Sequence, residues 1–140
     1  MFKKLMATDA GWGITFTRII TGIIFIGHGL PKIGIGSERT LDGLAGWLGG
    51  SLGLPFPMLM AVLVVAAEVL GGFAMVIGFL VRPAALTTAI AMVVATTMVH
   101  WDAGMFGEGG YQWSLLLCVL SIALMIDGAG RASLDQRLSR

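Results

Sequence analysis

The sequence predicts an all-α integral membrane protein, a four-helix bundle with a short interfacial helix between the first and second spans. Two observations predict this class. Hydrophobic residues make up 56% of the 140-residue chain and charged residues 12%, which excludes disorder and does not suit an ordinary soluble domain. The apolar residues also fall into runs that approach the roughly 20 residues needed for a helix to cross a membrane. We therefore expect one transmembrane domain over residues 1–140.

Four apolar runs define the predicted spans. They extend from Gly11 to Leu30, from Met58 to Leu80, from Pro83 to Val99 and from Trp113 to Ile126. The first should break at Pro31 and Gly34, because proline and glycine interrupt helices. The fourth is short and reaches a spanning length only if it extends back over Tyr111 and forward toward Gly128.

The segment between Gly34 and Pro57 is too rich in glycine to span the membrane. Its apolar residues nevertheless recur at helical spacing, at Leu41, Leu44, Trp47 and Leu48. This spacing predicts a short helix that lies on the outer face of the bundle. The simpler interpretation is an apolar lid with no role in binding a ligand.

The distribution of Lys and Arg predicts the orientation in the membrane. One side holds Lys3, Lys4, Arg82, Arg131, Arg137 and Arg140, whereas the other holds Lys32 and Arg39. The positive-inside rule then places both termini in the cytoplasm. The formal net charge is +1, so the expected surroundings are membrane lipid and no nucleic-acid partner is expected.

A single carboxylate, Glu68, lies near the middle of the second span. An acid there costs roughly 2.5–3.5 kcal/mol on the insertion scale, and the apolar residues of the span return roughly 4–7 kcal/mol. The span still inserts, but the acid needs a partner or a hydrated cavity. We predict that Arg18 of the first span is this partner; the alternative is that Arg18 extends to the membrane interface.

Further polar residues are expected to meet near the outer end of the bundle. Arg18, His28 and Lys32 fall within a sector of roughly 80° on the first helix, and this face should point into the bundle. His100 ends the third span and Gln112 opens the fourth at the same outer level. Such a vestibule could bind a polar head group or relay protons. No metal is expected, because two histidines are too few ligands.

Other conspicuous residues have ordinary structural explanations. Trp101, Tyr111 and Trp113 are typical of the aromatic belt at a membrane interface. Cys118 is the sole cysteine of the chain and lies in an apolar run, so it is expected to be a small packing residue without redox chemistry.

The chain resembles the DoxX family of small four-span bacterial and archaeal membrane proteins, which includes the DoxD-like subunits of thiosulfate:quinone oxidoreductase. The resemblance covers nearly the whole chain and rests on the order and spacing of several motifs. These are Arg18, Gly27-His28-Gly29 with Pro31-Lys32, Glu68 with Gly71-Gly72, Gly78-Phe79 with Arg82, His100, Gly128-Ala129-Gly130-Arg131 and Ser133-Leu134-Asp135. It implies a bacterial or archaeal cell membrane and an association with respiratory or sulfur-linked electron transfer through partner subunits.

One position departs from the family pattern. Members of the family often carry a glutamate where this chain has Gln112. An amide keeps the hydrogen-bonding capacity but cannot titrate. If that acid transfers protons in relatives, this chain lacks the step or uses Glu108 instead.

Three functions stay open at this point. The leading hypothesis is an accessory subunit of a respiratory or sulfur-linked oxidoreductase system, which binds a quinone-like or small ligand in the vestibule through Arg18, His28, Lys32, Glu68, His100 and Gln112. The alternatives are a proton-coupled carrier of a small solute, whose path a homo-oligomer could enclose, and a structural anchor for partner proteins. The chain has no dinucleotide fingerprint, CxxC pair or haem-attachment motif. No intrinsic cofactor is therefore expected, and quinone is the candidate ligand.

Overall fold

A computed structural model describes residues 11–138 and confirms the all-α class, with no strand in that range. The helices are α1 (Trp12–Gly29), α2 (Leu41–Leu52), α3 (Pro57–Ile77), α4 (Val81–Val94), α5 (Gln112–Asp127) and α6 (Leu134–Leu138). A 3₁₀ turn, Leu30–Ile33, follows α1, and a turn of π-helix, Ala95–Val99, continues α4. A second 3₁₀ turn spans Trp101–Ala103.

Within residues 11–138, three helical segments are long and apolar enough to cross a membrane, namely Trp12–Ile33, Pro57–Ile77 and Val81–Val99. Helix α5 is apolar but has only 16 residues. At 1.5 Å per residue it reaches about 24 Å, which is less than the roughly 30 Å of a hydrocarbon layer. The prediction of a short fourth apolar helix is therefore confirmed, as is the short helix α2 between the first two spans.

The boundaries of the second and third spans differ from the predicted ones. Helix α3 ends at Ile77 because Gly78 adopts φ +76° and its N–H donates to the carbonyl groups of Ala74 and Met75. Helix α4 begins at Val81, before Pro83. A proline is tolerated there because the N–H groups of the first turn have no partner within the helix.

Helices α1 and α3 approach each other closely at two glycines. A Cβ atom added to Gly22 would lie 2.6 Å from the Gly72 carbonyl oxygen, and one added to Gly72 would lie 2.8 Å from the Gly22 carbonyl oxygen. Small residues are the usual means by which helix backbones approach inside a membrane. This contact fixes the register of α1 against α3.

Substituting Gly72 with alanine is expected to destabilise the protein by about 1–3 kcal/mol, because overpacking would force α1 and α3 apart. The free energy of unfolding in mixed detergent micelles would measure this loss. Gly27→Ala on α1 is the matched control, since a Cβ atom there meets nothing within 4 Å. Equal stability of the two variants would show that the α1–α3 contact is looser than described.

Helices α4 and α5 are joined by hydroxyl pairs instead of glycines. Thr88 donates to Ser121 at 3.1 Å, and Thr96 donates to Ser114 at 2.9 Å. Cys118 is buried in the same seam. These contacts pack α1 against α3 and α4 against α5.

The start of α1, the α3–α4 turn and residues 128–138 meet at one end of the bundle, which we call the tail end. The Thr15 hydroxyl donates to the Arg131 carbonyl at 2.6 Å. The Asp135 carboxylate accepts hydrogen bonds from the N–H groups of Leu80 and Val81 at 2.8 and 2.9 Å, and so caps α4. The basic residues Arg82, Arg131 and Arg137 therefore share this end, as the predicted orientation in the membrane requires.

Lys3, Lys4 and Arg140, which belong to the same predicted basic side, lie outside the described residues. The cytoplasmic location of both termini stays a prediction.

Candidate functional site

A cavity of about 710 Å³ lies at the end of the bundle opposite the tail end, beneath α2. Its ionisable lining residues are His28, Lys32, Glu38, Arg39, Glu68 and His100. Its walls are largely apolar, with Leu44, Trp47 and Leu48 from α2 and Ala91 and Ala95 from α4 and the π-helical turn. Helix α2 thus covers the cavity, and a concave apolar pocket with a few polar groups is the usual form of a small-molecule site.

An ion pair between Lys32 and Glu68 forms the floor of the cavity. The Lys32 Nζ atom lies 2.5 and 2.6 Å from the two carboxylate oxygens of Glu68. The Glu68 side chain is only 3% exposed, whereas that of Lys32 is 21% exposed. Glu68 is therefore the buried member of the pair, and Lys32 connects it to the open part of the cavity.

Local backbone structure brings these two residues together. A Cβ atom at Gly29 would lie 3.0 Å from the Glu68 Cβ atom, so the end of α1 passes directly against Glu68. The 3₁₀ turn that starts after Gly29 then carries Lys32 over the carboxylate. Pro31 fits the first turn of this short helix because its missing N–H leaves no bond unmade.

The predicted ion pair between Arg18 and Glu68 is wrong. The Arg18 guanidinium is buried at the tail end, where Nη1 donates to the carbonyls of Met75 at 2.5 Å and Val76 at 3.2 Å, and Nη2 donates to Ala132 at 3.2 Å. Glu68 lies seven residues before Met75, or about 10 Å along the helix.

The physical reason is the offset between α1 and α3. The first residues of α1 extend beyond the end of α3 and contact the C-terminal segment, as the Thr15–Arg131 hydrogen bond shows. Arg18 is therefore level with the last turn of α3. The carbonyl groups of Met75 and Val76 lack the usual helical partner four residues further on and lie at the negative end of the helix dipole, so they stabilise a cation without a carboxylate.

The two histidines of the cavity each bond a backbone carbonyl through the same ring nitrogen, Nδ1. Nδ1 of His28 lies 2.8 Å from the Ile24 carbonyl oxygen, and Nδ1 of His100 lies 2.7 Å from the Gly109 carbonyl oxygen. Because a carbonyl can only accept, Nδ1 carries the proton in each ring. In the neutral imidazole, Nε2 is then a hydrogen-bond acceptor.

The π-helical turn at the end of α4 positions His100. The backbone N–H of His100 donates to the Ala95 carbonyl at 3.1 Å, five residues back instead of the usual four. Such a turn inserts one extra residue and is frequent at functional sites. Ala95, Val99 and His100 all line the cavity as a result.

Arg39 lines the cavity, although the sequence had indicated only its contribution to the orientation in the membrane. Its side chain is exposed, and within residues 11–138 its guanidinium makes no hydrogen bond or ion pair. It therefore adds a charged donor that is free to meet a ligand. The helical spacing of α2 predicted the neighbouring helix, but nothing in the sequence indicated that the preceding loop folds over the cavity.

Of the six predicted site residues, the structure brings together His28, Lys32, Glu68 and His100. Arg18 lies at the tail end, and Gln112, the first residue of α5, is not among the residues that line the cavity. Tyr111 stacks on Trp101 with ring centroids 5.1 Å apart. This stacking suits the interfacial aromatic belt.

Comparisons with known proteins agree with the helical membrane architecture. The DoxX family model matches residues 13–101. The chain is 34% identical over 123 residues to "Putative oxidoreductase CatD" of Bacillus subtilis, which covers 88% of this chain and 84% of the relative. It is 31% identical over 132 residues to "Inner membrane protein YphA" of Escherichia coli, which covers 89% of each.

A third relative, "Inner membrane protein YqjF" of Escherichia coli, is 30% identical over 132 residues, 91% of this chain and 93% of the relative. No solved structure matches. The family model covers more than half of the chain, and each of these relatives aligns over most of its own length. The chain is a bacterial-type membrane protein that belongs to the DoxX family.

Proposed function

We propose that this protein is an integral membrane subunit of an oxidoreductase system and that its cavity binds a quinone-like ligand. The observation that carries the proposal is the composition of the cavity: it combines charged donors, two imidazole acceptors and apolar walls in a bundle that lies in lipid. The Bacillus subtilis relative with the name "Putative oxidoreductase CatD" supports the same class of function.

The donors and acceptors suit both redox forms of such a ligand. The carbonyl oxygens of a quinone accept hydrogen bonds, and Lys32 and Arg39 can donate them. The hydroxyl groups of the reduced form donate hydrogen bonds, and Nε2 of His28 and of His100 can accept them.

The buried carboxylate supports this assignment through its effect on Lys32. Glu68 holds the ammonium group at the floor of the cavity and neutralises its charge there. A neutral, polar floor suits an uncharged ring better than an isolated charge would, because an unpaired ion in low dielectric is costly. The proposal includes a partner subunit that carries a redox cofactor and exchanges electrons with the bound ligand.

Mass spectrometry of lipophilic molecules released from the gently purified protein tests the proposal. We expect about one quinone per chain in the parent and in Gln112→Ala, whose residue lies outside the cavity lining. The His28→Ala/His100→Ala double variant should retain about fivefold less quinone or lower still, since two lost hydrogen bonds are together worth roughly 1–3 kcal/mol. Absence of quinone from the parent, or equal amounts in all three, would overturn the proposal.

A further inference from the structure

We propose that the hydrocarbon tail of the ligand leaves the cavity between α3 and α4. It then lies in an apolar groove between these two helices that opens to the lipid. This inference rests on the proposed function and adds to it the class of ligand and its route. The site would take a ring compound with a long apolar tail directly from the membrane.

The groove has a volume of about 730 Å³ and is lined by side chains of α3 and α4. On α3 it extends from Met60 to Ala74, about 21 Å at 1.5 Å per residue. No residue of its lining is charged. The Thr87 hydroxyl, which lies in it, already donates to the Ala84 carbonyl at 2.8 Å. The groove therefore offers hydrocarbon contacts to an occupant and no free polar group.

The groove and the polar cavity are adjacent because they share wall residues. Leu48 of α2, Val64 of α3, and Ala91 and Val94 of α4 line both. Val64 lies one helical turn before Glu68, so the carboxylate at the floor and the groove occupy neighbouring parts of α3. These shared residues lie between the two spaces, so a ligand with its ring in the cavity can have its tail beside the groove.

The packing of the bundle explains why the groove is at this seam. Helices α1 and α3 are held by the glycine contact, and α4 and α5 by the hydroxyl pairs, whereas α3 and α4 face each other with small side chains at Ala67, Ala84 and Ala91. Small residues leave a concave slot. Its position beside the only ion pair within residues 11–138 points to an amphipathic ligand as the occupant.

The test compares two probes that share one benzoquinone ring, one with a decyl tail and one with a methyl group in its place, in lipid nanodiscs. Ala67→Phe fills the groove, because Ala67 lines the groove and not the cavity. We expect this variant to bind the decyl probe at least fivefold more weakly than the parent and to bind the methyl probe equally well. Ala123→Phe on the exposed face of α5 is the matched control and should change neither affinity.

The outcomes separate this inference from the function on which it rests. Unchanged binding of both probes by Ala67→Phe would overturn the tail site and leave ordinary lipid as the occupant of the groove. An equal loss for both probes would also overturn it, because the substitution would then act on the cavity itself. If the parent binds neither probe, the proposed quinone site fails, and the tail site fails with it.

Discussion

Lys32→Met is expected to destabilise the protein by about 3–5 kcal/mol, the usual loss when one member of a buried ion pair is removed. The Glu68 carboxylate would stay buried without its partner, since its side chain is 3% exposed. Glu68→Leu should cost less, because the Lys32 side chain is 21% exposed and its ammonium group can move toward the mouth of the cavity. Unfolding of each variant in mixed micelles would measure the two losses.

The double variant Lys32→Met/Glu68→Leu separates stability from function. Replacement of a buried ion pair by apolar residues is often neutral or stabilising, so the double variant should regain most of the stability that Lys32→Met loses. It should nevertheless bind the decyl quinone probe far more weakly than the parent, because the floor of the cavity has lost its donor. Additive losses of stability would contradict the ion pair, and unimpaired binding would contradict its role at the site.

The second large effect is expected at Arg18. Arg18→Met removes the hydrogen bonds to Met75, Val76 and Ala132, which together tie α1 to the end of α3 and to the C-terminal segment. A hydrogen bond to a charged group is worth about 1.5–3 kcal/mol, so a loss of about 3 kcal/mol or more in the free energy of unfolding is expected. Arg18→Lys should recover only part of it, since an ammonium group lacks the planar fork of donors.

A substitution at Gly78 tests independently whether the Arg18 guanidinium occupies its position at the end of α3. A Cβ atom at this residue would overlap the Arg18 Nη1 atom and lie 2.6 Å from the Ser133 Cβ atom. Gly78→Ala should therefore displace the guanidinium, in addition to the strain of its φ of +76°. In the Arg18→Met background the same substitution should cost less, and a double-mutant cycle that gives strict additivity would show that Arg18 does not occupy this position.

The helices could be predicted from the sequence because the membrane imposes a simple length and composition rule on each span. The start of α4 at Val81 was harder to predict, since it depends on hydrogen bonds that Leu80 and Val81 donate to a residue distant in the chain. This residue, Asp135, caps α4 from beyond α5. Its role at this helix end is invisible to any argument from local propensity.

The sequence predicts which residues form the candidate site better than it predicts which of them form an ion pair. His28, Lys32, Glu68 and His100 stand out in the sequence because ionisable residues are rare in apolar helices. Which cation meets Glu68 depends on the offset of α1 against α3, and the Gly22–Gly72 contact sets that offset. Counting residues from assumed helix ends led to Arg18, whereas the folded backbone brings Lys32 to the carboxylate.

Photoaffinity labelling with an azidoquinone tests most directly whether the cavity beneath α2 is the ligand site. The protein in nanodiscs would be irradiated with the probe, digested and mapped by mass spectrometry. We expect labels on the peptides that contain His28–Leu48 and Ala91–His100, with suppression by excess unlabelled quinone. Labels spread over the lipid-facing sides of α1 and α5, without suppression, would contradict a quinone site in this cavity.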